Sequence, residues 1–457
     1  MIIECIQRYA IERPDQVFLS DDAASLTFRA AELRVRQMAV GFREAGMLPG
    51  STTYLYARDS ALSTIALLAT QYAGSQVCVL NRNFGTEDLR RISLRLKPGP
   101  LVSDCPDVNG WPGPIFRLTE PDGPGDPPAG PMEGGEGGIV ILTTGTTGVP
   151  KAVLHDWGRL LAQVRMADSS QSRAWALLYP LNHFAGLQVL LHVVKNGLTL
   201  AIPRDRQFSN VWECLLRNRV DSVSATPTFW RMFTGQLSAI QAGQLSLRQI
   251  TLGGEPVGEG ILSRLRQLFP EARITQVFAT TEIGSCFAVS DGRPGFPAEF
   301  LEGSIGNVQL TIRDGQLYVR TATGMVAYVD GSPPPETAGD DWMATGDLVE
   351  ICDGRVHFLG RKGEVLNVGG VKVYPPTVEE QIRKVNGVRD VRVYGKPNPI
   401  AGQIVAADLE LSDGADADAV LVSVRQVCRA TLNRYEQPRE LRVVSELRRS
   451  NEKLIRR

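Results

Sequence analysis

The stretch ILTTGTTGVPKAVLH, Ile141–His155, decides how the chain is read. Four threonines and two glycines fall within Thr143–Gly148, and Lys151 follows. Upstream, PDGPGDPPAGPMEGGEGG is too rich in proline and glycine to hold a regular element. GIVIL then reads as a short buried strand feeding the threonines. Hydroxyls beside glycine backbone offer donors to phosphate oxygens, and a lysine adds positive charge. The pattern G-x-x-x-x-G-K-[ST] does not fit, because Gly148 is followed by Val149, Pro150 and Lys151. The loop is a phosphate cradle of another kind, or a strand-to-helix turn with exposed threonines.

On both sides of the loop, strand and helix signals alternate. VFLS and LTF flank the polar turn DDAAS as a hairpin. A helix is predicted over about Ala30–Ala45, with Ala31, Val35, Met38 and Phe42 on one face and Gly46 as its stop. TTYLYA, ALSTIALLATQYAG and QVCVLN continue the alternation, which favours a largely parallel sheet covered by helices. From Cys105 to Gly138 the reading is loop. LTLAIP, DSVSATP, QITLGGEP and RITQVFATTE give further strands with helices between. Beyond Gly303 the pattern changes to short strands with hairpin signals at Asp314-Gly315 and Asp353-Gly354. After Arg361 comes a compact α+β stretch with a helix from about Pro376, so the division is placed between residues 1–361 and 362–457. The fold class is α/β: a large N-terminal domain of helix-covered sheets with a small β-rich part, and a small α+β C-terminal domain.

The 457 residues carry a formal net charge of -1, which argues against a surface built for nucleic-acid phosphates. Arginine dominates the positive charge; there are eight lysines, so each one inside a motif stands out. Seven scattered cysteines without a C-x-x-C pair fit neither a disulfide framework nor a zinc site. ALLYPLNHFAGLQVLLHVV is apolar but interrupted by Pro180, Asn182 and two histidines, short of a membrane span. With no signal peptide in MIIECIQRYAIERPDQ, a cytoplasmic location is expected.

TTGTTGVPK, from Thr143 to Lys151, resembles the signature loop of the adenylate-forming superfamily, which includes acyl-CoA synthetases, aryl-acid ligases, peptide-synthetase adenylation domains and luciferase. Later segments resemble that family in the same order. PLNHFAGL is similar to its P-L-x-H-x-x-G, LGGEP to its G-G-[AE]-P turn, FATTE to its Y-G-x-T-E, and ATGDL to its T-G-D. FLGRKGEVLNVGGVKVYPPTVE resembles its hinge-and-turn segment, and NEKLIRR a worn G-K-x-x-R. The resemblance covers nearly the whole chain.

It implies ATP and Mg²⁺ as partners and a two-step reaction: a carboxylate attacks the α-phosphate, then a thiol takes the acyl group. Thr143, Thr144, Gly145, Thr146, Thr147, Gly148 and Lys151 would hold the β- and γ-phosphates. Thr281 would meet the α-phosphate and Glu282 the magnesium ion. Gly253, Gly254, Glu255 and Pro256 on one side and Phe278 on the other would form the adenine slot, with Ala279 and Thr280 beside it. Asp347 and Arg361 would bind the ribose. Lys453 would bridge carboxylate and α-phosphate, although Glu452 stands where the family has glycine. Gly363 would be the pivot of a mobile lid, and Gly369-Gly370 would line the thiol tunnel.

His183, Phe184 and Gly186 would border the acyl pocket. No acid occurs from Ala174 through Val194, which disfavours a free α-amino acid, and Ala279 adds a methyl to the pocket wall. An aryl or short-to-medium acyl acid is expected, with coenzyme A as acceptor. A carrier-protein phosphopantetheine is the alternative acceptor. A nucleotide-binding protein without catalysis is the alternative of another kind, raised by Glu452 and Gly363.

Overall fold

The computed structural model describes residues 2–121, 137–143, 150–166, 173–337, 341–399, 401–447, 449–450 and 453–454, the last two pairs by backbone alone. Thr144, Gly145, Thr146, Thr147 and Gly148 lie outside the described residues.

Two sheets form the body. The first runs, edge to edge, Gly284–Val289, Arg273–Thr280, Gln249–Gly253, Ser222–Ala225, Ala174–Leu177, Thr199–Ala201, Val17–Ser20 and Ser25–Thr27. Its inner pairs are parallel and only the two edge strands turn back. The second runs Ala327–Tyr328, Lys151–Asp156, Gly138–Thr143, Gln76–Val79, Thr52–Tyr56, Leu101–Ser103 and Ile115–Arg117. Parallel strands need long crossovers, and helices between them bury one face against the sheet. In Phe28–Glu44 that face is Ala31, Val35, Met38 and Phe42; the Thr27 hydroxyl caps the start by accepting from Ala30 N at 3.2 Å.

One core joins both sheets through the helices Ile2–Glu12, Phe28–Glu44, Ala61–Tyr72 and Phe184–Asn196. The last helix stops at Gly197, whose φ of 63° is left-handed and whose N–H returns to Val193 O. A Cβ there would stand 2.5 Å from the Tyr9 ring, so the backbone approach requires glycine.

A third, antiparallel sheet carries the two Asp-Gly hairpins, with Asp314 at φ 50° and Asp353 at φ 49°. The fourth sheet pairs Val388–Asn398 with Gly402–Leu411 and Leu366–Val368 with Val371–Val373. The helices Pro375–Arg383 and Ala417–Thr431 share a separate core with it, from Leu366 to Leu432. Among the described residues, no helix is long and apolar enough to cross a membrane.

Two local expectations change. Ile115–Arg117, within the stretch expected to be loop, adds a parallel edge strand beside Leu101–Ser103. After the threonine loop the chain makes a strand, Lys151–Asp156, that returns antiparallel to Gly138–Thr143, with Thr143 opposite Lys151. Thr143 and Lys151, which flank the loop, are thus held opposite each other by a ladder of hydrogen bonds.

Candidate active site

A continuous cavity of ≈ 3880 Å³ opens between the body and the small fourth-sheet unit. That is several times the volume of an ordinary single-ligand pocket, about 300–1,000 Å³. Most of the residues singled out in the sequence meet on its wall. Thr143 and Lys151 come from the hairpin, Phe278 through Glu282 from a strand end, Gly253 through Pro256 from a turn, and Asp347, Arg361 and Gly363 from the third sheet and the turn after it.

Glu282 and Lys151 come together through Tyr328, which the sequence reading missed. The Tyr328 hydroxyl donates to Glu282 Oε1 at 3.3 Å, and Lys151 Nζ stands 4.8 Å from the centre of its ring. Burial first, and then the Glu282 carboxylate, push the phenol pKa upward, so it stays a donor. Thr281 and Glu282 follow the strand Arg273–Thr280 in a tight turn, with Thr280 Oγ1 accepting from Ile283 N at 3.1 Å. Behind them lies His155, also missed: it is 1% exposed and its Nε2–H donates to Thr281 O at 2.8 Å. Burial lowers its pKa from 6.5 to about 4, with the Thr281 bond opposing, so the ring is neutral at physiological pH.

At the Gly253–Pro256 turn, Gly254 has φ 80°, a conformation that L side chains rarely adopt. The Glu255 carboxylate is already engaged, accepting from Thr228 N at 3.0 Å and Thr228 Oγ1 at 2.7 Å. It therefore anchors the turn, leaving backbone on the cavity side. Tyr179 Oη donates to Gly253 O at 2.9 Å from the opposite edge. Phe278 is on the wall, but its ring packs nearly parallel to Phe287 at 5.3 Å and to Phe358 at 5.2 Å. Asp347, only 8% exposed, holds Arg361 Nε at 2.9 Å, and Arg361 Nη1 donates to Thr345 O at 2.8 Å. Adjacent antiparallel strands impose this pairing, with Asp347 directly opposite Arg361.

His183, Phe184 and Ala279 line another arm of the cavity. His183 is the N-cap residue of the helix Phe184–Asn196, and the Phe184 ring lies 5.6 Å from that of His155. Gly186 does not line the cavity. A Cβ at Gly186 would sit 2.1 Å from Pro180 O, so the helix presses directly on the backbone before it. Its glycine is thus explained by packing.

Gly369 and Gly370 form the exposed tip of the hairpin between Leu366–Val368 and Val371–Val373, and neither lines the cavity. In this arrangement they are not brought to the site. Lys453 pairs in a short ladder, opposite Ser450, and its side chain lies outside the described residues.

Among the described residues, no group of three or more His, Cys, Asp or Glu is placed to hold a metal ion alone. A single carboxylate such as Glu282 suits magnesium carried on phosphates, which keeps water and phosphate ligands and takes one or two carboxylates.

Comparison with known proteins agrees with this geometry. The AMP-binding enzyme model matches residues 6–329, and the model for the C-terminal domain of the same enzymes matches 377–453. A 2-succinylbenzoate–CoA ligase of Listeria monocytogenes is 22% identical, covering 95% of this chain and 93% of its own. One from Geobacillus kaustophilus is 26% identical over 70% of this chain and 68% of its own. The anthranilate CoA ligase AuaEII, solved with anthranoyl-AMP, superposes with a TM-score of 0.85 at 18% identity, covering 100% and 95% of the two chains. The o-succinylbenzoate CoA synthetase of Bacillus subtilis, solved with its acyl-adenylate, gives 0.80 at 21%, covering 99% and 96%. With most of its length matched by the family model and the motif residues gathered on one wall, the chain belongs to the AMP-binding enzyme family, within the adenylate-forming superfamily.

Proposed function

We propose that the chain is an ATP-dependent acid–thiol ligase that converts an aryl or short-to-medium carboxylic acid to an acyl-adenylate and then to its coenzyme A thioester. The observation that carries this reading is the convergence of Thr143, Lys151, Thr281, Glu282, Asp347 and Arg361 on one cavity. The relatives named as CoA ligases support it, as does a neighbouring structure solved with ATP and magnesium, at a TM-score of 0.78.

In the first step a carboxylate oxygen bonds to the α-phosphorus and the bond to pyrophosphate breaks. Two anions must approach, so neutralisation and alignment dominate the barrier. Lys151 and the threonine hairpin would hold the departing β- and γ-phosphates. The Thr281 hydroxyl would donate to the α-phosphate, its backbone held in place by His155. Glu282, steadied by Tyr328, would hold the magnesium ion, which when bound supplies charge neutralisation to the phosphates. The Asp347 carboxylate would accept from the ribose hydroxyls, with Arg361 beside it. Backbone at Gly253–Pro256 would face the adenine.

Lys453 would reach the carboxylate and α-phosphate when residues 362–457 close as a lid, with the turn at Gly363 as pivot. In the second step the thiol sulfur bonds to the acyl carbon, AMP leaves, and the thiol proton passes to solvent. Gly369-Gly370, outside the cavity here, would be brought to it by lid rotation. The seven free cysteines suit a reducing cytoplasm.

The test is ATP–pyrophosphate exchange across a panel of carboxylic acids, followed by mass spectrometry after adding coenzyme A. Acid-dependent exchange and an acyl-CoA product are expected, both lost in Lys453→Ala. ATP binding with no exchange for any acid would replace this reading with a non-catalytic one. Acyl transfer to a carrier-protein pantetheine but not to coenzyme A would replace only the acceptor.

A further inference from the structure

The two faces of the first sheet differ in chemistry. Along Gln249–Gly253, Ile250 and Leu252 are buried in an apolar core, while Gln249, Thr251 and Gly253 face the other way and line the cavity. The neighbouring strands divide in the same sense: Val223, Ala225 and Ile274 lie in that core, and Ser224 and Thr275 line the cavity. A parallel sheet covered on both faces by packed side chains is apolar on both. Polar side chains on an inner face need partners that apolar packing does not supply.

Register sets these side chains in a row. Ser224 pairs with Thr251 and Thr251 with Thr275, so three hydroxyls lie side by side across three adjacent strands. Thr275 is satisfied: its Oγ1 accepts from Gln249 Nε2 at 3.0 Å and meets Ser290 Oγ at 2.9 Å. Thr251 Oγ1 accepts from the same amide at 3.2 Å, which leaves its own O–H to donate. Among the described residues, neither the Thr251 O–H nor the Ser224 O–H has an acceptor.

Thr251 is within reach of a ligand. Its strand is hydrogen-bonded on both sides and the opposite face is buried, so its remaining exposed surface opens on the cavity. The row lies two residues before Gly253 and four before Ala279, which is about 7 Å and about 13 Å at 3.3 Å per residue. Gly253 and Ala279, both on the cavity wall, put little bulk in the way. The helix Phe184–Asn196 shares a core with Leu177, the residue paired with Ser224, and forms one side of the passage.

We propose that the acyl pocket runs down this sheet face and takes a medium-length acid with a hydrogen-bonding oxygen about 10–13 Å from its carboxyl carbon, received by Thr251 and Ser224. This rests on the ligase reading above and narrows its substrate from a plain hydrocarbon acid to an oxygenated one. An extended chain advances about 1.2 Å per bond, so acids of about eight to ten carbons carry a terminal oxygen to the row.

The experiment measures kcat/KM for adenylate formation with ω-hydroxy acids of six to twelve carbons, each beside the acid with a methyl in place of the hydroxyl. An apolar pocket favours the methyl acid by about a hundredfold. Here the hydroxy acid should be favoured by about tenfold at eight to ten carbons, and should lose that advantage at six. Thr251→Val, which keeps the shape and deletes the hydroxyl, should reverse the preference; Thr251→Ser should keep it, and Ser224→Ala should weaken it. The ratio of two acids on one protein does not depend on how much of that protein is folded. A methyl acid favoured at every length, a ratio unmoved by Thr251→Val, or activity with aryl acids alone overturns the proposal, makes the polar face a water channel and leaves the ligase reading intact. Silence with every acid, aryl acids included, overturns both.

Discussion

Replacing His155 by leucine tests how the site is held from behind. The substitution keeps an apolar side chain against Phe184 but removes the donor to Thr281 O, a part-buried acceptor now bonded at 2.8 Å by the buried His155 ring. A carbonyl shielded from water and left without a partner costs about 1–3 kcal/mol, so the variant should be less stable by about 2 kcal/mol at pH 8. The histidine brings an opposite effect in acid. Its pKa falls from 6.5 in the unfolded chain to about 4 in the folded one. Its contribution is therefore fully present above pH 6.5 and declines as pH drops toward 4. The fall of about 2.5 pKa units corresponds to about 3 kcal/mol across that window, and about 2 kcal/mol is already lost at pH 5. The wild-type advantage of about 2 kcal/mol should accordingly shrink to near zero at pH 5. His192, lowered by the same burial, titrates in both proteins and cancels in the difference. Urea unfolding of both proteins at pH 8, 6 and 5 measures this directly. His155→Gln, whose amide nitrogen reaches close to the position of Nε2, should restore most of the pH 8 stability. It should also restore the rate of adenylate formation, which leucine should lower by about ten- to a hundredfold as Thr281 shifts. A stability gap independent of pH, or glutamine as damaging as leucine, would refute the reasoning.

Three further substitutions probe other walls. Asp347→Ala removes a buried acceptor and the ion pair that positions Arg361; KM for ATP should rise by about a hundredfold, read from initial rates at saturating acid. Tyr328→Phe keeps the ring under Lys151 but deletes the hydroxyl at 3.3 Å from Glu282, so half-saturation by magnesium should rise by about three- to tenfold with the fold unchanged. Gly186→Ala forces a methyl against Pro180 O, where the gap is 2.1 Å, and should cost about 1–3 kcal/mol in urea unfolding.

Local signals carried much of the fold. The amphipathic helix beginning after Thr27 and the two Asp-Gly hairpins are decided by residues within a few positions of one another, so sequence alone exposes them. Part of the site was legible for a different reason: each motif brings its own turn or strand end, as Asp347 and Arg361 do by facing each other across one ladder. What escaped was non-local. The bond from His155 to Thr281 spans 126 residues, and that from Tyr328 to Glu282 spans 46. Neither has a sequence signature, because only the meeting of two sheet edges creates it. The packing of Gly186 against Pro180 O was not legible either, because a glycine within a motif looks the same whether it admits a ligand or a neighbouring backbone. The antiparallel return of Lys151–Asp156 was equally hidden, since short apolar runs do not announce their pairing partner.

A crystal of this chain grown with a non-hydrolysable ATP analogue and magnesium would show where the triphosphate rests. Phosphate density between Thr143 and Glu282, with the ribose on Asp347, is what the gathered residues demand. Triphosphate bound on any other surface would contradict the assignment of this cavity to adenylate chemistry.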